Sequence, residues 1–143
     1  MIADGAQAGA LAAFRTYLHE VARNLEAGNA TEHTHRPALQ QLVEALDPQV
    51  RVVNEPKRIE CGAPDFIVTR GELPVGYIEA KDVGRSLDEI ERDEQLKRYR
   101  ESLSNLILTD YLDFRWYRDG EKQQAARIAY AGDSGTLRPD REG

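Results

Sequence analysis

An α/β fold with one mixed β-sheet flanked by helices is what this sequence predicts, and three observations predict it. Two amphipathic helical patterns open the chain, and three alternating or β-branched runs follow them. A third helical pattern then separates those runs from three more, so strands and helices are interleaved rather than segregated.

The first helix spans about Gln7 to Ala27, where Leu11, Phe14, Leu18, Val21 and Leu25 recur at spacings of three and four. Gly28-Asn29 ends it. Pro37 sits in the first turn of a second helix that carries Leu39, Leu42, Val43 and Leu46 on one face, and Asp47-Pro48 stops it. Val50–Glu55, Asp65–Arg70 and Val75–Lys81 read as strands, punctuated by Glu55-Pro56, Gly62-Ala63-Pro64 and Gly71-Glu72-Leu73-Pro74. Ser86 with Glu89 three residues on forms a capping box, opening one helix that runs to about Leu103. Asn105–Thr109, Asp113–Tyr117 and Arg127–Tyr130 close the sheet, with Asp119-Gly120 in the loop between the last two. The expected order is ααβββαβββ in a single domain over residues 1–131. Residues 132–143, with Gly132, Gly135, Pro139 and Gly143, read as a linker or disordered tail.

A chain of 143 residues, 41% hydrophobic and 31% charged, is sized for one core. No run approaches the roughly 18 apolar residues of a membrane span, and no signal pattern opens the chain, so no membrane role is expected. A single cysteine forms no internal disulfide, which fits a reducing cytoplasm. Cys61 reads as a small buried side chain beside a turn; the alternative, a nucleophilic thiol, needs an activating base that the sequence does not identify. The net charge of −6 counts against tight, autonomous nucleic-acid binding. The middle of the chain is nearly balanced, with ten Lys/Arg against eleven Asp/Glu over residues 51–100.

Chemistry concentrates in one hairpin. If Asp65–Arg70 and Val75–Lys81 pair antiparallel about Glu72, Asp65 lies opposite Glu79, with Cβ atoms about 4.5–5.5 Å apart. Like charges so placed destabilise a sheet unless a cation lies between them, and hard divalent ions such as Mg²⁺ favour carboxylate oxygens. Lys81 projects from the same face as Glu79, two residues on, where an ammonium can position a water or stabilise charge developing on phosphorus. Phe66, Val68, Ile78 and Ala80 take the opposite face, toward the core. Each part alone is ordinary: a Glu-x-Lys triplet is more often a solvated cross-strand ion pair than a catalytic group. The combination of turn, register and apolar reverse face favours the catalytic reading.

Gln95 and Tyr99, four residues apart, share one side of the following helix. Either Tyr99 is core and Gln95 a boundary residue, or Gln95 is an amide donor near a phosphate or water and Tyr99 touches a phosphate backbone. His33-Thr34-His35 suggests zinc only weakly, since no cysteine or third histidine is near in sequence. Glu32 either adds a carboxylate to the metal or complements the second helix's dipole, with Thr31 or Thr34 as cap.

Gly62-Ala63-Pro64-Asp65 followed by Glu79-Ala80-Lys81 resembles the PD-(D/E)xK nuclease signature. Gln95 through Tyr99 is similar to the Q-x-x-x-Y motif of the RecB-like branch. The runs Thr31–Leu39, Asp93–Gln95, Leu106–Asp110 and Phe114–Tyr117 resemble the N-terminal nuclease domain of Type ISP single-chain restriction–modification enzymes, over roughly residues 7–130. The resemblance implies a restriction-endonuclease-like fold and hydrolysis of phosphodiesters in double-stranded DNA with Mg²⁺, Mn²⁺ serving as a substitute. It implies Asp65, Glu79 and Glu32 as metal ligands, Lys81 as catalytic lysine, and Gln95 and Tyr99 as supporting residues. It further implies tethered helicase-like translocase and methyltransferase domains, of which this chain carries no Gly-x-x-x-x-Gly-Lys-Ser/Thr loop. The alternatives are a catalytically inactive DNA-binding or regulatory module, and a repair or recombination nuclease of the same fold.

Overall fold

The computed structural model describes residues 2–28, 30–31, 33–54, 62, 64–131 and 137–139. Its elements run α1 (Ile2–Glu26), α2 (Arg36–Leu46), β1 (Val50–Asn54), β2 (Phe66–Arg70), β3 (Leu73–Ala80), α3 (Leu87–Glu91), α4 (Glu94–Ser102), β4 (Asn105–Thr109), β5 (Asp113–Arg118), β6 (Glu121–Arg127), β7 (Ala129–Ala131) and β8 (Leu137–Pro139). β1 to β6 form one sheet in sequence order, in which only the β3–β4 pair is parallel. No described helix is long and apolar enough to cross a membrane.

Helices cover both faces. On one, Tyr17 and Val21 of α1 and Ala38, Leu39 and Leu42 of α2 bury Val52, Phe66, Ile78 and Ala80 of the sheet. On the other, Leu87 and Ile90 of α3 and Leu96 and Tyr99 of α4 bury Leu106, Leu108 and Tyr117. The alternation of β3 over residues 77–80 makes this possible: Ile78 and Ala80 face α1 and α2, while Tyr77 packs toward α3 and α4. The expected core face of the hairpin is the observed one. In α1, Phe14, Leu18, Val21 and Leu25 pack inward, but Leu11 is 55% exposed and Tyr17 takes the buried position instead.

The structure departs from the expected elements in several places, beginning with α1, which starts at Ile2 and not at Gln7. The single helix expected from Ser86 to Leu103 is two. The Ser86 hydroxyl accepts from Glu89 N–H at the start of α3, and the Asp93 carboxylate accepts from Gln95 N–H at the start of α4. A second capping residue in mid-pattern restarts the helix rather than continuing it. Residues 121–126, expected as loop, form most of β6, an edge strand joined to β5 by a two-residue turn at Asp119 (φ 50°) and Gly120 (φ 85°). Paired positive φ values are those of the hairpin turn whose twist suits the flanking strands. Arg127–Tyr130, expected as the strand that closes the sheet, is divided: Arg127 ends β6, and Ala129–Ala131 forms β7, which pairs antiparallel with β8 of the 132–143 stretch in a separate two-stranded sheet.

The segment after β4 ties that strand to the loop following β3. Asp110 is buried, and its Oδ1 accepts from Leu112 N–H (3.0 Å) and Asp113 N–H (2.7 Å) while Oδ2 accepts from Gly84 N–H (3.1 Å). Thr109 Oγ1 donates to the Asp113 carbonyl and accepts from Tyr111 N–H, supporting the positive φ of 77° at Tyr111. Replacing Asp110 with Ala leaves three backbone donors unsatisfied, two of them in a buried turn. Asp110→Ala is therefore expected to lower stability by about 3 kcal/mol or more, read as a shift in the urea midpoint.

Candidate active site

The site forms where β3 ends, beside the end of its parallel neighbour β4. This is the rim where open α/β sheets place ligands. The backbone brings the groups there. Phe66 pairs with Ile78 and Ile67 with Tyr77, which places Asp65, one residue before β2, opposite Glu79. The expected opposition is thus present, by a different route. The turn itself pairs Arg70 with Leu73 and Thr69 with Pro74, and a bulge then shifts the register by one residue between Thr69 and Val68. Val75 is the extra residue. Pro74, which lacks an N–H, adjoins it, and Asn105 Nδ2 donates to its carbonyl.

Asp65 and Glu79 interlock. Asp65 N–H donates to Glu79 Oε1 (3.2 Å), and Ala80 N–H donates to Asp65 Oδ2 (2.8 Å). Lys81 Nζ lies 3.2 Å from Glu79 Oε2, with its side chain 20% exposed. Lys81 N–H donates to the Thr109 carbonyl (2.8 Å), which fixes the backbone from which the ammonium extends. Asp65, Glu79 and Lys81 are therefore gathered at one point.

A fourth charged group stands there that sequence reasoning missed. Arg36, at the start of α2, places Nη2 2.8 Å from Asp65 Oδ1 and Nη1 2.7 Å from Asn54 Oδ1. Its side chain is only 6% exposed, and the guanidinium lies 5.6 Å from the Phe66 ring centroid. The two opposed carboxylates are thus not bare: each already faces a protein cation. The only signal in the sequence is Arg36-Pro37 itself, an arginine at a helix start whose partner lies 29 residues away.

Glu79 remains strained electrostatically. Burial, then the Asp65 charge, push its pKa from 4.5 up to about 7, with Lys81 pulling only part of the way back. The site demands more positive charge than Arg36 and Lys81 supply. His35, by contrast, is buried against Tyr111 (ring centroids 5.0 Å apart), and burial lowers its pKa. His33 is exposed, whereas His35 is buried.

The remaining expected residues divide. Gln95 is exposed on the first turn of α4, and no hydrogen bond joins its side chain to Asp65, Glu79 or Lys81. Tyr99 is 0% exposed, which fits the core reading and not direct contact with a phosphate backbone. Its ring backs the approach to Asp65: a Cβ on Gly62 (φ 126°) would come within 3.1 Å of Tyr99 Cε1 and Oη. Only glycine fits that contact and that φ. Glu32 and Cys61 lie outside the described residues. Neither Thr31 nor Thr34 caps α2; Thr34 Oγ1 accepts from Thr31 N–H within the preceding turn.

Among the described residues no cluster of three or more His, Cys, Asp or Glu could hold a metal, and the carboxylates gathered at the site are those of Asp65 and Glu79. Both offer hard oxygen, the donor type that Mg²⁺ and Mn²⁺ take, and the raised Glu79 pKa marks a place where added positive charge would be favourable.

No protein family and no curated protein matches the chain in sequence. Among solved structures, a chain titled as part of a cryo-EM DrdV–DNA complex matches with a TM-score of 0.62, covering 84% of this chain and 89% of that one, at 24% identity. The fold is restriction-endonuclease-like. The mixed six-stranded sheet flanked by helices is the architecture expected from the sequence.

The sign of the Glu79 shift gives a stability prediction. A carboxyl whose pKa is raised on folding stabilises most when protonated in both states, below pH 4.5, and that contribution is lost as pH rises through about 7. In EDTA, the wild-type protein should lose about 3 kcal/mol more than Glu79→Gln between pH 4.5 and 8, as a carboxyl raised from 4.5 to about 7 requires. Parallel urea melts at the two pH values measure it; equal slopes in both proteins would show that Glu79 is not the strained group.

Proposed function

We propose that this chain is the nuclease domain of a restriction–modification enzyme, hydrolysing phosphodiesters in double-stranded DNA with Mg²⁺ or Mn²⁺, in the cytoplasm. One observation carries the reading: Asp65, Glu79 and Lys81 converge at the end of β3 in a restriction-endonuclease-like fold. The resemblance of Thr31–Leu39 and Asp93–Tyr117 to Type ISP enzymes names the finer class, with translocase and methyltransferase domains tethered to it.

Asp65 and Glu79 would hold the cation through carboxylate oxygens. When bound, such a cation lowers the pKa of water and draws charge from a phosphate oxygen. The ammonium of Lys81, anchored through Thr109 and partly exposed, is placed to donate to a phosphate oxygen or to orient the attacking water. Gln95 would add a neutral donor from α4, and Tyr99 would act indirectly by backing the Gly62 turn. Glu32 is the natural third carboxylate by sequence.

Two observations favour the second reading, a DNA-binding or regulatory module without chemistry. They are the net charge of −6 and the guanidinium already paired with Asp65. Supercoiled plasmid incubated with the chain and Mg²⁺ separates the readings. Slow nicking without sequence preference is expected, since phosphate contacts carry no base information. Lys81→Ala should cut the rate on the order of 10²–10³-fold, as loss of one charge-stabilising donor does. No Mg²⁺-dependent nicking, or equal nicking by Lys81→Ala, would favour the inactive module.

A further inference from the structure

We propose that Arg36 is a positioning residue that acts through Asp65, a permanent counter-charge that orients this carboxylate and sets how tightly the site takes a divalent cation. The inference rests on the nuclease reading above, because it assumes that Asp65 is a cation ligand.

The geometry is that of a strut and not of a gate. One guanidinium nitrogen is spent on Asp65 (2.8 Å) and another on Asn54 (2.7 Å), while the guanidinium carbon lies over the Phe66 ring, 5.6 Å from its centroid. To swing away, Arg36 would have to leave Asp65 and Asn54 inside a nearly closed environment. The guanidinium thus brings a fixed positive charge to the site.

Asp65 is thereby held from two sides. Oδ2 takes Ala80 N–H and Oδ1 takes Arg36, each oxygen using one acceptor position and keeping one. The carboxylate is fixed beside Glu79 before any cation arrives, the preorganisation that a precise site needs. Electrostatics runs the other way. A fixed positive charge beside a ligand repels an incoming cation, and at a few ångströms in a half-buried site this outweighs the small rotamer entropy of one short carboxylate. Arg36 therefore trades cation affinity for geometry. Without it, cation binding should tighten while hydrolysis slows.

Mn²⁺ titration followed by calorimetry tests this without reference to activity. Arg36→Gln keeps an amide donor for Asp65 and removes the charge; Arg36→Lys keeps the charge. The glutamine variant should bind Mn²⁺ about tenfold more tightly or better, as removal of a nearby unit charge requires. The lysine variant should return to within about twofold to threefold of wild type, and both should nick plasmid more slowly than wild type. Unchanged or weaker Mn²⁺ binding by Arg36→Gln, with wild type binding normally, would overturn the role of Arg36 and leave the nuclease reading intact. Failure of wild type and Asp65→Asn alike to bind Mn²⁺ would overturn both. Should Arg36→Gln be unfolded in EDTA, Mn²⁺ should refold it by far-ultraviolet circular dichroism, and persistent unfolding at millimolar Mn²⁺ would count against the proposal.

Discussion

The carboxylate of Asp65 is the point on which the site depends, because at the rim of the sheet it ties the start of β2 both to β3 and to α2. One oxygen accepts from the backbone of β3 at Ala80, and the other takes the guanidinium that α2 delivers. Asp65 N–H meanwhile donates to Glu79. A residue one position outside β2 thus locks the end of the hairpin to the helix packed beneath it. Charge-assisted bonds of this kind are roughly twice as strong as neutral ones, and removing one partner leaves the other buried and uncompensated.

That arrangement hangs on register. Continued from the turn, the pairing of Arg70 with Leu73 would set Asp65 against Ile78, on the face that packs beneath α1 and α2. A one-residue slip moves every side chain to the other side of a sheet. The bulge at Val75 makes that slip once, between turn and site, so that an ordinary two-residue turn and an Asp–Glu opposition coexist in one hairpin. Pro74 on one side and Gly76 on the other are residues that a regular ladder tolerates poorly, and here they bracket the irregularity.

This explains why the opposition of Asp65 and Glu79 was legible in the sequence although the hairpin that makes it was not. Pairing about Glu72 brings Asp65 to Glu79 whether the odd residue sits in the turn or in a bulge, so the right opposition follows from a simpler hairpin than the real one. Apolar periodicity carried α1, α2 and the strands through β5, since burial imposes it. It could not reveal β6, whose Glu121-Lys122-Gln123-Gln124 is an exposed edge with no inward face to mark it. Nor could it divide α3 from α4, because the break lies in one aspartate side chain, Asp93, and not in the spacing of Leu87, Ile90, Leu96 and Tyr99. Arg36 was invisible for a different reason. An ion pair 29 residues long leaves no periodic trace, and an arginine at a helix start looks like any solvated one until its partner is known.

The two halves of the site are supported by different layers of the molecule. Asp65 is held by Arg36 from the layer of α1 and α2, whereas Glu79 shares its face of the sheet with Tyr77, beneath α3 and α4. Lys81 hangs from Thr109, and the Asp110 turn ties the loop that follows it. Neither layer alone assembles the charges, so the convergence is a property of the whole fold and not of a local motif. The same division explains how a strained Glu79 is tolerated. Its cost is borne by two hydrophobic clusters on opposite faces of one sheet, each large enough to hold its own half in place while like charges face each other at the rim.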